Sequence, residues 1–410
     1  MRSGTNLPRV RDYNQGVILE AIRAEEGISR VELALKTGLT KQTVSVIVKR
    51  LLDQKLIQED GVRVSSGGKR ATKLRVEPRT YYAIGVLFEG DYFNLVAMAL
   101  DGQIIAESQH TTSAEPEPRQ VIRQVASAIK ELIRNSELDV GKILGVGVGC
   151  LGPLDYRKGI IYSPPILKGW DEVPFKQLLE AEIGYPVTVD NEATAAAIGE
   201  RWSGGAQGVH NFAFISMNTG IGAGLYIENQ IYRGSTTYAG EFGHITLDPY
   251  GPACFCGNRG CVEACCAPVA VVKAVHARLS QNEASALLAC FKEAPAKVDF
   301  EAISQAALNG DTLADDEIKR SAWLLGCGLV SLVNLLDVEL VVLGGKNFRH
   351  VGPLYRDIIQ KVLDERVIAR SRREIRVELS AVGENAGAVG AASLILDALF
   401  APRLASLNSA

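Results

Sequence analysis

No stretch of the 410 residues holds the roughly 20 consecutive apolar positions that a membrane-spanning helix needs. The opening segment, MRSGTNLPRVRDYNQG, also lacks the apolar core of a signal peptide, so a cytoplasmic protein with no membrane partner is expected. Cysteine is scarce: there are eight, three of them packed between positions 254 and 261, which does not suit the disulfide framework of a small secreted domain. What remains is the composition of a globular chain, 47% hydrophobic and 22% charged, long enough for two or three domains.

Charge is unevenly spread. Residues 1–80 carry 16 basic side chains against 9 acidic ones, whereas the rest carries 28 against 38. A basic head on an acidic body points to a head that meets a polyanion. Within it, Val17, Ile18, Ala21 and Ile22 recur at helical spacing, and Gly27 ends that helix. Ser29 followed by Glu32 is a capping box that opens a second helix, and after the turn TGLT, Thr40 caps a third. Val44, Ile47, Val48 and Leu51 face inward there, leaving Lys41, Gln42, Thr43, Ser45 and Lys49 outward. That is helix-turn-helix geometry, in which the start of the last helix reaches base edges in the major groove. The next stretch reads as a β-hairpin whose Gly-Gly tip adjoins Lys69 and Arg70, a wing placed to touch phosphate or the minor groove. A generic three-helix bundle is the alternative, though it predicts neither the turn nor the basic tip.

In the body, Cys254, Cys256 and Cys261 form Cys-x-Cys-x4-Cys, with His244 ten residues upstream. Three thiolates and one imidazole make a closed tetrahedral set for Zn²⁺ with no position left for a catalytic water, so the site is expected to be structural. Unliganded loop cysteines are the bland alternative.

The run CFCGNRGCVE after Gly243-His244, together with LPRVRDYNQGVILEAI near the start and GENAGAVGAASLIL near the end, resembles the ROK family of sugar-responsive repressors and sugar kinases. The helix-turn-helix head is of the kind the repressors carry and the kinases lack; within the family the likeness is to the xylose-responsive repressors. The resemblance implies an α/β chain: a winged helix-turn-helix (residues 1–76) and an actin-like body of two lobes. The smaller lobe would span 80–190, completed by a C-terminal helix at 385–400, and the larger, carrying the zinc site, 191–384. It further implies a sugar in the cleft, held by Asn191, Glu192, Glu241, His244 and Glu263. The repressors act as homodimers or higher oligomers on palindromic operator DNA, so such DNA and a small sugar, with xylose first and glucose, N-acetylated hexosamines and disaccharides as the alternatives, are the expected partners.

Two departures from the kinases of the family bear on activity. Their Asn-Asp pair places an aspartate base where this chain has Glu192, and one added methylene displaces a positioned carboxylate. Their Asp-x-Gly-x-Thr phosphate loop is replaced by GVLFEGDY, with Leu87, Glu89 and Asp91 at the Asp, Gly and Thr positions. ATP binding is therefore not expected, and a non-enzymatic repressor is the reading; an ATP-dependent sugar kinase of the glucokinase type bearing a DNA-binding head is the alternative. Trp170 reads as core, with stacking on a sugar as the other option.

Overall fold

The structure is a computed structural model that describes residues 7–64, 70–112, 117–164 and 167–401. In the head, α1 (Leu7–Ala24) turns Ile18, Leu19, Ala21 and Ile22 inward. The Ser29 N–H donates to Glu32 Oε2 at 2.9 Å while Ser29 Oγ accepts from the Glu32 N–H, and this box starts α2 (Arg30–Thr37). Gly38, at φ 71°, ends α2 in the left-handed conformation, and Thr40 caps α3 (Lys41–Asp53). The wing pairs β1 (Ile57–Val64) antiparallel with β2 (Arg70–Val76), Ile57 standing opposite Val76.

The short connection to the body is tied down. The Glu77 N–H donates to the Leu56 carbonyl at 3.0 Å, the Thr80 hydroxyl to the Lys55 carbonyl, and the Leu100 N–H to the Pro78 carbonyl at 3.2 Å. Ile18 and Ile22 of the head lie in the same apolar cluster as Met98, Trp202, Val389 and Leu396 of the body. A shared core, not a loose tether, joins the two.

The body repeats one plan twice. In the first sheet, β3 (Tyr82–Phe88), β4 (Tyr92–Ala99) and β5 (Ile104–Thr111) form an antiparallel meander. After α4 (Pro118–Asn135), β6 (Ile143–Cys150) lies parallel to β3. The small hairpin β7 (Leu154–Asp155) and β8 (Ile160–Ile161) and then α5 (Phe175–Ile183) lead to β9 (Val187–Asn191), parallel to β6. The helix α6 (Glu192–Ser203) crosses to the second sheet. There β10 (Phe212–Met217), β11 (Ile221–Ile227) and β12 (Gln230–Ile231) again run antiparallel. Five helices follow, α7 (Val262–Cys266), α8 (Pro268–Ser280), α9 (Leu288–Glu293), α10 (Phe300–Leu308) and α11 (Thr312–Leu336). Then β13 (Leu340–Gly344) joins parallel to β10, α12 (Gly352–Arg366) intervenes, and β14 (Arg376–Leu379) lies parallel to β13. The orders β5-β4-β3-β6-β9 and β12-β11-β10-β13-β14 are therefore equivalent. Strands β3, β10 and β13 are buried along their whole length, as central strands covered on both faces must be.

Between the sheets, α6 packs on α13 (Ala386–Phe400), and both stretches are rich in alanine and glycine. The reason is steric: a Cβ on Gly390 would stand 2.1 Å from the Ala195 carbonyl oxygen, so the two helices meet backbone to backbone. Trp170 is fully buried and stacks on Phe88 and Phe175 with centroids 5.1 and 6.1 Å away, which makes it core and not a sugar platform. No helix among the described residues is long and apolar enough to cross a membrane.

Candidate functional site

The cysteine run is folded by its glycines. Gly257 and Gly260 sit at φ 92° and 61°, and a Cβ on Gly260 would stand 1.5 Å from the Asp248 carbonyl oxygen. The chain therefore doubles back, and the ligand atoms of His244, Cys254, Cys256 and Cys261 lie within 4.8 Å of one another. His244 Nδ1 is 3.6 Å from Cys254 Sγ, and the sulfurs of Cys256 and Cys261 are 3.8 Å apart. Tetrahedral zinc with bonds of about 2.3 Å to sulfur separates two ligand sulfurs by about 3.8 Å, so the donor set fits that ion. With Nδ1 turned toward the cysteines, Nε2 is the His244 nitrogen left for a ligand.

Asn191 closes β9 and caps α6, its Oδ1 accepting from the N–H groups of Ala193 at 2.9 Å and Thr194 at 3.4 Å. Its acceptor is thus engaged in the helix, and the amide N–H group is what it offers to a ligand. Asn191 and Glu241 border one pocket together with Tyr156, Asp190, Thr194 and Arg233. Gly240, at φ 97°, brings the chain so close to β11 that a Cβ there would stand 2.2 Å from the Ala223 carbonyl oxygen, and this sets Glu241 at the pocket. Burial raises the Glu241 carboxyl, His244 opposes that shift, and Glu263 adds to it, so these three sequence-predicted residues are neighbours. Glu263 Oε2 accepts from the Ile221 N–H at 2.9 Å, which anchors it to the turn between β10 and β11.

Sequence reasoning missed the pocket's best-fixed pair. Arg233 donates from Nη2 and Nε to Asp190 Oδ2 at 2.5 and 3.2 Å, and its guanidinium lies 4.6 Å from the centre of the Tyr156 ring. Burial raises the Asp190 carboxyl, against the pull of Arg233 and the Asn191 N–H. Three chain segments meet here, and no local motif links them.

Glu192, adjacent to Asn191, opens into a different hollow. Successive helical positions diverge by about 100°, so the first residue of α6 turns away from its cap. Glu192 Oε1 accepts from Ser216 Oγ at 3.4 Å, and beside it lie Leu87, Glu89, Tyr92, Asn218 and Lys346. Glu89 is 2% exposed, accepts a hydrogen bond from the Tyr92 hydroxyl, and faces Lys346 Nζ at 3.8 Å. Burial, reinforced by the charge of Glu89, pushes the Glu192 carboxyl up to about 8. Of the two carboxylates expected to oppose triphosphate, Glu89 does face inward, whereas Asp91 is exposed.

On the head, Lys41, Gln42, Ser45 and Lys49 are exposed along α3 and Thr43 is half-buried, its hydroxyl 2.9 Å from that of Thr40. Ser45 Oγ donates back to the Lys41 carbonyl at 2.8 Å. Arg70 opens β2, and Lys69 lies outside the described residues.

Comparison with known proteins accords with both halves. The profile described as the ROK family matches residues 83–398, and that described as the MarR family matches residues 9–70. The chain is 29% identical over 389 residues to a protein named xylose repressor from Bacillus subtilis, covering 95% of this chain and 96% of that one. It is 32% identical over 314 residues to a glucokinase of Streptomyces coelicolor, covering 76% of this chain and 96% of that one. A solved ROK family transcriptional regulator, described as a homolog of the Escherichia coli Mlc protein, shares the fold with a TM-score of 0.79 at 24% identity, over 96% of this chain and 97% of that chain. A ROK family glucokinase from Streptomyces griseus, solved with glucose and AMPPNP, matches with a TM-score of 0.65 at 30% identity, over 76% of this chain and 98% of its own.

Proposed function

Because the chain belongs to the ROK family and carries a MarR-type winged helix-turn-helix ahead of the ROK body, we propose that it is a sugar-responsive transcriptional repressor, released from operator DNA when a sugar enters the pocket of Asn191 and Glu241. The observation that carries this reading is the course of α6. Its first turn is capped by Asn191 at the pocket; its last turn meets the head, where Arg201 pairs with Glu20 of α1 and Trp202 lies 4.1 Å beneath the Arg23 guanidinium. Twelve residues of helix span about 18 Å, and backbone packing on α13 makes that length stiff. A shift at Asn191 would thus reach α1, on which the base-reading α3 packs.

In this reading Asn191, Glu241, His244 and Glu263 take the sugar hydroxyls, Glu192, also expected at the sugar, opens instead into the hollow of Glu89 and Lys346, and xylose heads the candidate effectors. His244, Cys254, Cys256 and Cys261 would hold a zinc ion that stabilises the loop aiming His244, and four protein donors match a closed tetrahedral set, which supports a structural role. Lys41, Gln42, Thr43, Ser45 and Lys49 of α3 read bases, and Lys69 and Arg70 of the wing meet the backbone. The head is residues 1–76, the small lobe 80–190 with 385–400, the large lobe 191–384. The working form is a cytoplasmic homodimer on a palindrome, with half-sites about one helical turn apart. The sugar must favour the released state by a few kcal/mol to empty the operator. Kinase activity is disfavoured because Glu89, buried beside Lys346, occupies the glycine position of the phosphate loop that the family's kinases carry, and its charge would oppose a phosphate there.

The test is fluorescence anisotropy of labelled operator at fixed salt. Sugar is expected to weaken binding at least about tenfold. The double variant Lys41→Ala, Gln42→Ala is expected to lose specific operator binding while still taking up sugar. Unchanged operator affinity in that variant would remove α3 from the interface.

A further inference from the structure

Arg233 and Tyr156 stand between the pocket of Asn191 and Glu241 and a neighbouring space. The same two side chains form the near wall of a second hollow of about 520 Å³, bordered beyond them by Asn229, Gln230, Tyr232 and Asp397. That volume lies within the roughly 300–1,000 Å³ of small-molecule sites. Its lining is what a saccharide asks for: aromatic faces for the apolar C–H side of a ring, with amides and a guanidinium for the hydroxyls.

The lining is also held in place. Glu228 and Asn229, at φ 51° and 61°, make the two-residue turn between β11 and β12, and their N–H groups are tied to Asn211 Oδ1 at 2.8 Å and the His210 carbonyl at 3.1 Å. The Tyr232 N–H donates to the Leu225 carbonyl at 2.8 Å, yet the residue remains 51% exposed at the groove. Arg233 is immobilised by Asp190 and by the Tyr156 ring. Because Asp190 answers the charge of Arg233 and the Asp397 carboxylate lies near Arg23 and Arg201, the charges around the groove are answered within the protein, and it favours a neutral ligand over a sugar acid or sugar phosphate.

We propose that this groove is a second sugar subsite, and that the effector is a neutral disaccharide or longer glycoside whose first ring sits at Asn191 and Glu241 and whose next ring lies against Tyr232 and Gln230. The assignment rests on the sensor reading of the first pocket. It also gives chain length a route to the head. Tyr226 and Asp397 border both the groove and the hollow at Arg23, Arg201 and Trp202 where head meets body.

Calorimetric titration of the full chain with xylose, β-1,4-xylobiose, glucose and cellobiose tests this. In at least one pair the disaccharide is expected to bind about tenfold or more tighter than its monosaccharide. Tyr232→Ala, an exposed position whose loss leaves the core untouched, is expected to cut that advantage to about threefold or less while leaving the monosaccharide Kd unchanged. Monosaccharide binding with no disaccharide advantage in either pair would overturn the subsite and leave the sensor reading standing. Binding of none of the four sugars would overturn both.

Discussion

The two sheets share a strand order, and the first hairpin turn of each faces the cleft, but the turns have opposite chemistry. Between β10 and β11 the turn is neutral and its polar groups are satisfied. Asn218 Oδ1 accepts from the Lys346 N–H at 2.8 Å, the Asn218 carbonyl from Asn347 Nδ2 at 2.6 Å, and the Ile221 N–H holds Glu263. Gly220 lets Glu263 come close, since a Cβ there would stand 2.1 Å from Glu263 Oε2 and the glutamate would have to shift. Between β3 and β4 the turn instead buries Glu89, and Glu89 Oε1 and Glu192 Oε2 have no hydrogen-bond partner among the described residues. Buried unpaired carboxylate oxygens are costly. Glu89 and Lys346 thus put charge into a hollow that Asn218 of the other turn also borders, so the two turns differ in charge around a shared space. A receptor needs only the second turn; phosphoryl transfer needs both.

Making the first turn resemble a phosphate loop should give the largest change. Glu89→Gly with Asp91→Thr removes two negative charges and releases Lys346 toward an incoming phosphate. Affinity for AMPPNP with Mg²⁺ is expected to rise about a hundredfold over the parent, as measured by calorimetry. If the parent chain already binds the nucleotide as tightly as the variant, the contrast between the turns carries no functional meaning.

A smaller effect sharpens the same contrast. Because the Glu192 carboxyl is pushed up to about 8, the folded chain holds a proton that the unfolded chain has released over the interval between the ordinary glutamate value of 4.5 and about 8. Stability contributed by this group is therefore lost as pH rises through that interval. Glu192→Gln is expected to flatten the decline and to add about 2 kcal/mol at pH 8, read from urea unfolding. Identical pH profiles for parent and variant would show that Glu192 is solvated and that the first turn is not sealed.

Legibility in the sequence followed the range of the interactions. The Ser29–Glu32 box, the Thr40 cap and the Cys-x-Cys-x4-Cys loop are each settled within a few residues, so their spacing disclosed them before the fold did. Glu89 was suspect because it replaces a loop glycine, but its partner Lys346 comes from the far side of the chain and bore no mark. Asp190 and Arg233 are likewise ionic partners only after the two sheets assemble. Asn191 and Glu192 misled in the opposite way: neighbours in sequence, they serve separate hollows because a helix begins between them. The link through α6 was invisible, since nothing in Arg201 or Trp202 announces a contact with a helix some 180 residues earlier.

The central claim is that pocket and head are coupled through α6, and linkage makes that claim reciprocal. The decisive measurement is calorimetric titration of sugar into the free protein and into the protein saturated with operator, at one salt concentration. The expected result is weaker sugar binding to the DNA-bound form, by the same factor by which sugar weakens operator binding. Equal sugar Kd values in the two forms would contradict it.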